Sequence, residues 1–291
     1  MSMRAVFLLG NVVSRRCCRR VQRSTVAGMP ALVSGSRDAE RTLVFANACT
    51  TQGIEAPALA AFLGAVAEAG LYVVAPELPD VRGGRITPTT VDALVRVAEQ
   101  CDGRLMLGGA STGGGLAIVA GADPRIQERV ELVSAIAPFA DLENVLRLAT
   151  TGHYDDEGIL YGFPVEPLLR WAAERSLRAL GSGAAVDALL ANDRPELFDE
   201  LYAELPLSNR TAVRAVSPIC AMRDSDVQVE VLVDPHDRFF PAAEARALAR
   251  AGARVTTTPA LGHVTPRAGL GLARLVEFAD RTLFLRPVFE S

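Results

Sequence analysis

The sequence RLMLGGASTGGGLA, residues 104–117, decides the fold of this chain. An apolar run leads into two glycines, Ser111 follows shortly after them, and three more glycines open a second apolar run. This order predicts a buried strand, a sharp turn and a helix, with one hydroxyl at the apex of the turn. Residues 109–113, GASTG, fit the pattern G-x-S-x-G, in which a nucleophilic serine occupies a strained turn. We therefore expect Ser111 to be a nucleophile, with an ordinary glycine-rich turn as the structural alternative.

Short apolar runs alternate with amphipathic segments on both sides of this turn. This alternation predicts an α/β fold, with a mostly parallel central sheet covered by helices on both faces. The predicted strands cover residues 43–48, 71–76, 105–110, 130–137, 227–233 and 253–259. The predicted helices cover 57–70, 89–101, 116–122, 241–252 and 266–285.

The alternation stops between residues 139 and 226, where helical patterns dominate. We expect this segment to be an all-helical lid inserted into one α/β core, which is formed by residues 41–138 and 227–291. Trp171 and Phe163 are candidate substrate-binding residues of the lid, and the alternative is that they fill its own small core.

Residues 1–40 contain a short apolar run followed by a cluster of arginines at positions 15, 16, 19, 20 and 23. The apolar run is too short to span a bilayer, and positive charge after it opposes export. We expect a loosely attached arginine-rich arm, with weak contact to an anionic membrane surface as the alternative.

The composition excludes several functions. The net charge of −4 argues against a nucleic-acid partner. All 30 basic residues are arginine, so the chain can neither form a lysine Schiff base nor contain the lysine of a phosphate-binding loop. We expect no cofactor. The five cysteines form no C-x-x-C pair and the three histidines are scattered, which predicts no metal site and a reducing, cytoplasmic compartment. A small molecule is the expected partner.

A serine nucleophile needs a base, and the base needs an orienting acid. His263 is the candidate base, because it follows the last predicted strand and the carboxyl ends of parallel strands meet at one edge. Asp237 is the favoured acid, since it comes just past a predicted strand, precedes His263 by 26 residues and keeps the chain order Ser, Asp, His. Asp234 and Asp141 also follow strands and remain alternatives.

Three motifs, GASTG, Asp237-x-x-Phe-Pro and Gly-His263, resemble the α/β-hydrolase superfamily over residues 42–285. The resemblance implies a Ser111–His263–Asp237 triad for acyl transfer to water. The N–H of Thr112 would be one oxyanion donor, and the second would come from residues 48–50, with Ala48 and Cys49 as candidates. The loop there reads NACTTQG and departs from the family's usual glycine-rich form. Cys49 is expected to be a small buried residue and not a reactive thiol.

These features predict a serine hydrolase of carboxylic esters or related acyl compounds. The same triad could instead cleave a thioester or a C–C bond, or transfer the acyl group to another acceptor. A non-catalytic scaffold that binds a small molecule is the alternative from a different class.

Overall fold

The centre of the fold is an eight-stranded sheet. The computed structural model describes residues 6, 10, 20–267 and 269–284. The strands are β1 (Gln22–Val26), β2 (Met29–Ser34), β3 (Arg41–Ala46), β4 (Tyr72–Pro76), β5 (Arg104–Ala110), β6 (Val130–Ile136), β7 (His153–Asp156), β8 (Ile159–Gly162), β9 (Val229–Val233), β10 (Arg254–Thr257), β11 (Leu261–Gly262) and β12 (Thr265–Pro266). The sheet order is β1-β2-β4-β3-β5-β6-β9-β10. In this sheet, β2 pairs antiparallel with β1 and β4, and the other neighbours are parallel. The predicted mostly parallel sheet is confirmed.

Helices cover both faces of the sheet. They are α1 (Pro57–Ala67), α2 (Pro79–Arg82), α3 (Pro88–Glu99), α4 (Thr112–Gly121), α5 (Leu142–Thr151), α6 (Pro167–Leu180), α7 (Ala184–Ala191), α8 (Phe198–Glu204), α9 (Leu207–Ala215), α10 (Pro218–Arg223), α11 (Ala242–Arg250) and α12 (Leu272–Leu283). Side chains alternate along each strand, so Val44 and Leu107 pack in the core with α3 and α4, whereas Leu43 and Met106 pack in the core with α1 and α12. Apolar burial on both faces explains the continuous apolar runs of the sequence.

The prediction of an arm for residues 1–40 is wrong for its second half. Strands β1 and β2 form a hairpin that adds the antiparallel edge to the sheet. Its two turn residues, Ala27 and Gly28, both have positive φ, as the favoured two-residue hairpin turns require. Most side chains of the edge strand β1 are exposed, so its sequence shows no apolar pattern that would predict a strand. The proposed membrane contact of the arginine-rich segment falls largely outside the described residues.

The segment at residues 139–226 is also not all-helical. It contains the antiparallel pair β7–β8, closed by a turn at Glu157 and Gly158, which both have positive φ. Tyr154 and Tyr161 face each other across this hairpin with ring centroids 5.9 Å apart. Each strand has only four residues, so the period-two pattern is too short to detect in the sequence. In the described part of the chain, no helix combines the length and the hydropathy needed to cross a bilayer.

A buried ion pair fastens α12 to the sheet. The Glu230 carboxylate on β9 is 1% exposed and lies 3.0 Å from the Arg281 guanidinium, which also donates a hydrogen bond to Thr256. We expect Arg281→Ala to lower the free energy of unfolding by about 3 kcal/mol, because it leaves a buried carboxylate without its close partner. Glu277→Ala removes the exposed partner of the same arginine and should cost less than about 0.5 kcal/mol. Equal losses in urea unfolding would show that burial of Glu230 is not what matters.

Candidate active site

Ser111 occupies the turn between β5 and α4. Its backbone has φ 53° and ψ −123°, a strained conformation for a residue with a side chain, which costs on the order of 1–3 kcal/mol. Its N–H donates a hydrogen bond to the carbonyl of Ile136 at 2.7 Å, so the neighbouring strand holds the turn in place. Thr112 is the first residue of α4, and the first N–H groups of a helix have no partner within it. A strained serine next to such an N–H is what the sequence pattern predicts for a nucleophile.

Two glycines permit the close approach that this turn needs. A Cβ added at Gly109 would lie 2.2 Å from the carbonyl oxygen of Gly113. A Cβ added at Gly113 would lie 2.1 Å from the carbonyl oxygen of Ala46 on β3. Both contacts are with backbone, which cannot move aside, so only glycine fits at these positions.

His263 lies in the turn between β11 and β12 and is hydrogen-bonded to Asp237. Its Nδ1 is 2.7 Å from Oδ2 of Asp237. The other oxygen of Asp237 accepts hydrogen bonds from the backbone N–H groups of Phe239 at 2.7 Å and Phe240 at 3.1 Å. The loop after β9 therefore fixes the carboxylate, and the carboxylate orients the ring so that Nδ1 carries the proton. The imidazole keeps Nε2 to accept a proton from another group.

A row of aromatic rings connects His263 to α4, the helix that follows Ser111. Phe239 stacks on the imidazole with centroids 4.4 Å apart, and Phe240 lies 6.0 Å from it. Phe240 in turn contacts Phe139 at 6.2 Å, and Phe139 lies where a side chain at Gly115 of α4 would be. Sequence reasoning missed this packing, although Phe240 is part of the D-x-x-F-P motif. Hydrophobic patterning cannot reveal which ring packs on which imidazole.

The structure does not join Ser111 to His263 by a hydrogen bond. Among the described residues, neither the Ser111 hydroxyl nor Nε2 of His263 has a hydrogen-bond partner. The two residues follow β5 and β10, whose carboxyl ends lie at the same edge of the sheet. Catalytic hydrogen bonds are often long before substrate binds, so this geometry is compatible with a nucleophile and its base.

The other candidate acids, Asp141 and Asp234, and one other histidine, His153, have structural contacts of their own. Asp141 caps α5 by accepting the N–H two residues on at 3.0 Å, and it also accepts the Ser217 hydroxyl at 3.1 Å. Asp234 accepts the backbone N–H of His236 at 2.9 Å and shapes the loop that leads to the acid. The Nδ1 of His153 lies 2.9 Å from a carbonyl two residues earlier. Of the three aspartates, Asp237 is the one that contacts His263.

The loop after β3, residues 47–53, borders the turn that holds Ser111. The side-chain amide of Asn47 donates a 2.8 Å hydrogen bond to the carbonyl six residues on. Arg82 donates to the carbonyl of Thr51 at 3.0 Å, and the Glu77 carboxylate accepts the N–H of residue 54. These contacts connect the loop to α2 and to the Glu77 carboxylate after β4. Ala48 and Cys49 stay the predicted second oxyanion donors.

Cys49 is buried, and burial raises the pKa of its thiol to about 11, so little thiolate exists near neutrality. This agrees with a small packing residue. Among the described residues, no group of three or more His, Cys, Asp or Glu side chains is arranged to hold a metal ion.

Trp171 and Phe163 both lie in the inserted segment. Trp171 is 36% exposed on α6, and its ring contacts the loop at Gly84, where an added Cβ would lie 2.5 Å away. Phe163 is half-buried against the core, and its N–H donates to the carbonyl of Gly152. A role of either residue in substrate binding stays a prediction.

Glu244 on α11 is a buried carboxyl that sequence reasoning missed. It accepts hydrogen bonds from the backbone N–H groups of Ala140 and Asp141, so it ties α11 to the start of the insertion. Burial raises its pKa to about 8. Nothing in the sequence separates this glutamate from the exposed acidic residues of other helices.

We expect the protein to lose stability as pH rises from about 4.5 to about 8 because of Glu244. In this range the folded state retains the Glu244 proton and the unfolded state has lost it, so the free energy of unfolding falls by up to about 1.4 kcal/mol per pH unit. Glu244→Gln should flatten this slope in urea unfolding, whereas Glu157→Gln, which alters an exposed ion pair, should keep it. If the free energy of unfolding of Glu244→Gln depends on pH as strongly as that of the wild type, the pKa of Glu244 is not raised.

The sheet order, the strained turn after β5 and the paired loops after β9 and β10 define an α/β-hydrolase fold, and comparison with solved structures shows the same fold. A hormone-sensitive lipase from a metagenome library is 13% identical, with a TM-score of 0.59 over 97% of this chain and 92% of that one. A candidate esterase from Staphylococcus aureus is 12% identical, with a TM-score of 0.58 over 96% and 91%. The acylaminoacyl peptidase of Pyrococcus horikoshii is 15% identical, with a TM-score of 0.54, and this chain spans 41% of its length. The sequence itself matches no family model and no curated protein.

Proposed function

We propose that the protein is a serine hydrolase that cleaves carboxylic esters or related acyl compounds. The observation that carries this proposal is the 2.7 Å hydrogen bond between Asp237 and His263, at the sheet edge where the strained Ser111 also lies. A histidine oriented by a buried carboxylate, near a serine on a sharp turn, is the arrangement that makes a hydroxyl nucleophilic. The lipase and esterase names of the compared structures support the same class.

The reaction follows from these positions. The Ser111 oxygen attacks the carbonyl carbon of the substrate, and its proton passes to Nε2 of His263. The N–H of Thr112 and one from residues 48–50 donate hydrogen bonds to the resulting oxyanion, each worth about 3 kcal/mol. The oxyanion collapses, the C–O bond to the leaving group breaks, and His263 protonates the departing alcohol. Water then attacks the acyl-enzyme with His263 as base, which releases the acid and restores the serine.

A fluorophosphonate probe tests the nucleophile directly. Trypsin releases residues 105–125, in which Ser111 is the one serine, so mass spectrometry can place the label on it. We expect stoichiometric labelling of this peptide in folded protein and none after denaturation. Folded protein that stays unlabelled and hydrolyses no ester would refute the proposal. Parallel assays with p-nitrophenyl esters and acyl thioesters then separate the bonds that the enzyme cleaves.

A further inference from the structure

A cavity of about 410 Å³ lies between the sheet and helices α1 and α12, on the face opposite to α3 and α4. It is lined by side chains from β3, β5, β6 and β9 below and from the two helices above. Neither Trp171 nor Phe163 of the insertion lines it. All of its described lining residues lie outside residues 139–226, so it is distinct from any pocket under the insertion.

The cavity lies where two neighbouring strands, β5 and β6, carry small residues on one face of the sheet. On the face that carries α1 and α12, three neighbours in register form each row across β3, β5 and β6. The first row is large and buried and consists of Leu43, Met106 and Leu132. The next row consists of Phe45, Gly108 and Ser134, two of which are small. Small residues also face the cavity from the helices, including Ala58 and Ala279. No local sequence pattern marks such a row, since it arises from the register between strands.

Partial exposure on an interior strand confirms the open space. Strand β6 has a neighbour on each side, yet Ser134 and Ile136 are only half-buried, whereas Leu132 on the same face is fully buried. These half-buried positions are nearest the carboxyl end of β6, at the edge of the sheet where Ser111 lies.

Immediate neighbours of the proposed catalytic groups line the cavity at this edge. Ala110 precedes Ser111, Val264 follows His263, and Ala48 belongs to the loop expected to supply an oxyanion donor. The cavity therefore reaches residues that are next to the proposed catalytic groups in sequence, although Ser111 and His263 themselves do not line it.

We propose that this cavity binds the acyl chain of the substrate, and that the chain is uncharged. This inference rests on the proposed serine hydrolase function, which places the acyl carbon at Ser111. Every described lining residue is apolar or neutral, so a charged acyl group would lose its hydration without gaining a partner. At about 30 Å³ per water-sized group, the volume holds about a dozen methylene-sized groups.

The chain-length dependence of ester hydrolysis tests the proposal. With p-nitrophenyl esters from two to twelve carbons, kcat/KM should rise by up to about fourfold per added methylene until the cavity is filled. Ala279→Leu and Ser134→Leu place extra carbons in the cavity from the helix and from the sheet. Each should lower the ratio of decanoate to acetate hydrolysis at least tenfold. The matched control is Ala273→Leu, because Ala273 is exposed on the same helix as Ala279.

A binding measurement separates this proposal from the proposed function. In Ser111→Ala protein, dodecanoate should raise the melting temperature, and Ala279→Leu in the same background should abolish the shift. If dodecanoate shifts the melting temperature in this way but wild-type protein cleaves no ester, the cavity assignment stands and the hydrolase assignment fails. If esters are cleaved but Ala279→Leu and Ala273→Leu have the same chain-length profile, the hydrolase assignment stands and the acyl cavity is wrong.

Discussion

Replacing Ser111 with alanine should lower kcat/KM for ester hydrolysis by roughly 10⁴- to 10⁶-fold. Removing the hydroxyl deletes the atom that forms the acyl-enzyme, so only the oxyanion donors and substrate binding would still accelerate attack by water. The strained backbone at φ 53° should persist, because Gly109 and Gly113 permit the turn and the N–H bond to Ile136 does not involve the side chain. Stability should therefore change far less than activity.

A matched serine makes this result specific. Ser182 is exposed in the insertion, between α6 and α7, and Ser182→Ala should leave kcat/KM within twofold of wild type. Urea unfolding of both variants checks that the loss in Ser111→Ala is not a loss of folded protein. If Ser111→Ala keeps more than a tenth of wild-type activity, Ser111 is not the nucleophile.

The central sheet could be predicted because its signals are local. Strands β4 and β5 are buried on both faces and so appear as apolar runs, and the turn at Ser111 has its own glycine spacing. The hairpin β1–β2 and the hairpin β7–β8 were missed for the opposite reason. One has an edge strand with exposed side chains, and the other has strands of four residues, so neither produces a clear pattern.

For the candidate site, the sequence could predict only which loops lie at the same edge of the sheet. The carboxyl ends of parallel strands share one edge, which brings the loops of Asp237 and His263 together without any knowledge of their contacts. Sequence spacing could not choose among three aspartates that all follow strands. That choice depends on loop geometry: two backbone N–H groups hold Asp237 toward the ring. Asp234 instead accepts an N–H of its own loop, and Asp141 accepts an N–H of α5 and the hydroxyl of Ser217.

Neither the acyl cavity nor the burial of Glu244 could be predicted from the sequence. The cavity depends on the register that sets Gly108 beside Ser134, and register is a property of paired strands. Glu244 has the sequence context of a surface helix residue, and its burial follows from the insertion that covers it.

Asp237→Asn should lower kcat by roughly 10⁴-fold while the protein stays folded. The backbone N–H groups of Phe239 and Phe240 will bind the amide oxygen of the new side chain, because the amide nitrogen cannot accept them. The amide NH₂ must then face Nδ1 of His263, where the wild-type carboxylate accepts a hydrogen bond at 2.7 Å. A donor at this position forces Nδ1 to be the acceptor and moves the ring proton to Nε2.

In that tautomer Nε2 cannot take the proton of Ser111, so the serine loses its base although every atom keeps its place. Nitrogen-15 spectra of the imidazole should therefore report the proton on Nδ1 in wild-type protein and on Nε2 in Asp237→Asn, a change that a merely structural role would not produce. Asp234→Asn and Asp141→Asn are the matched controls, since neither carboxylate contacts His263 among the described residues. Should either control lose as much activity as Asp237→Asn in folded protein, the acid would have to be reassigned to that residue.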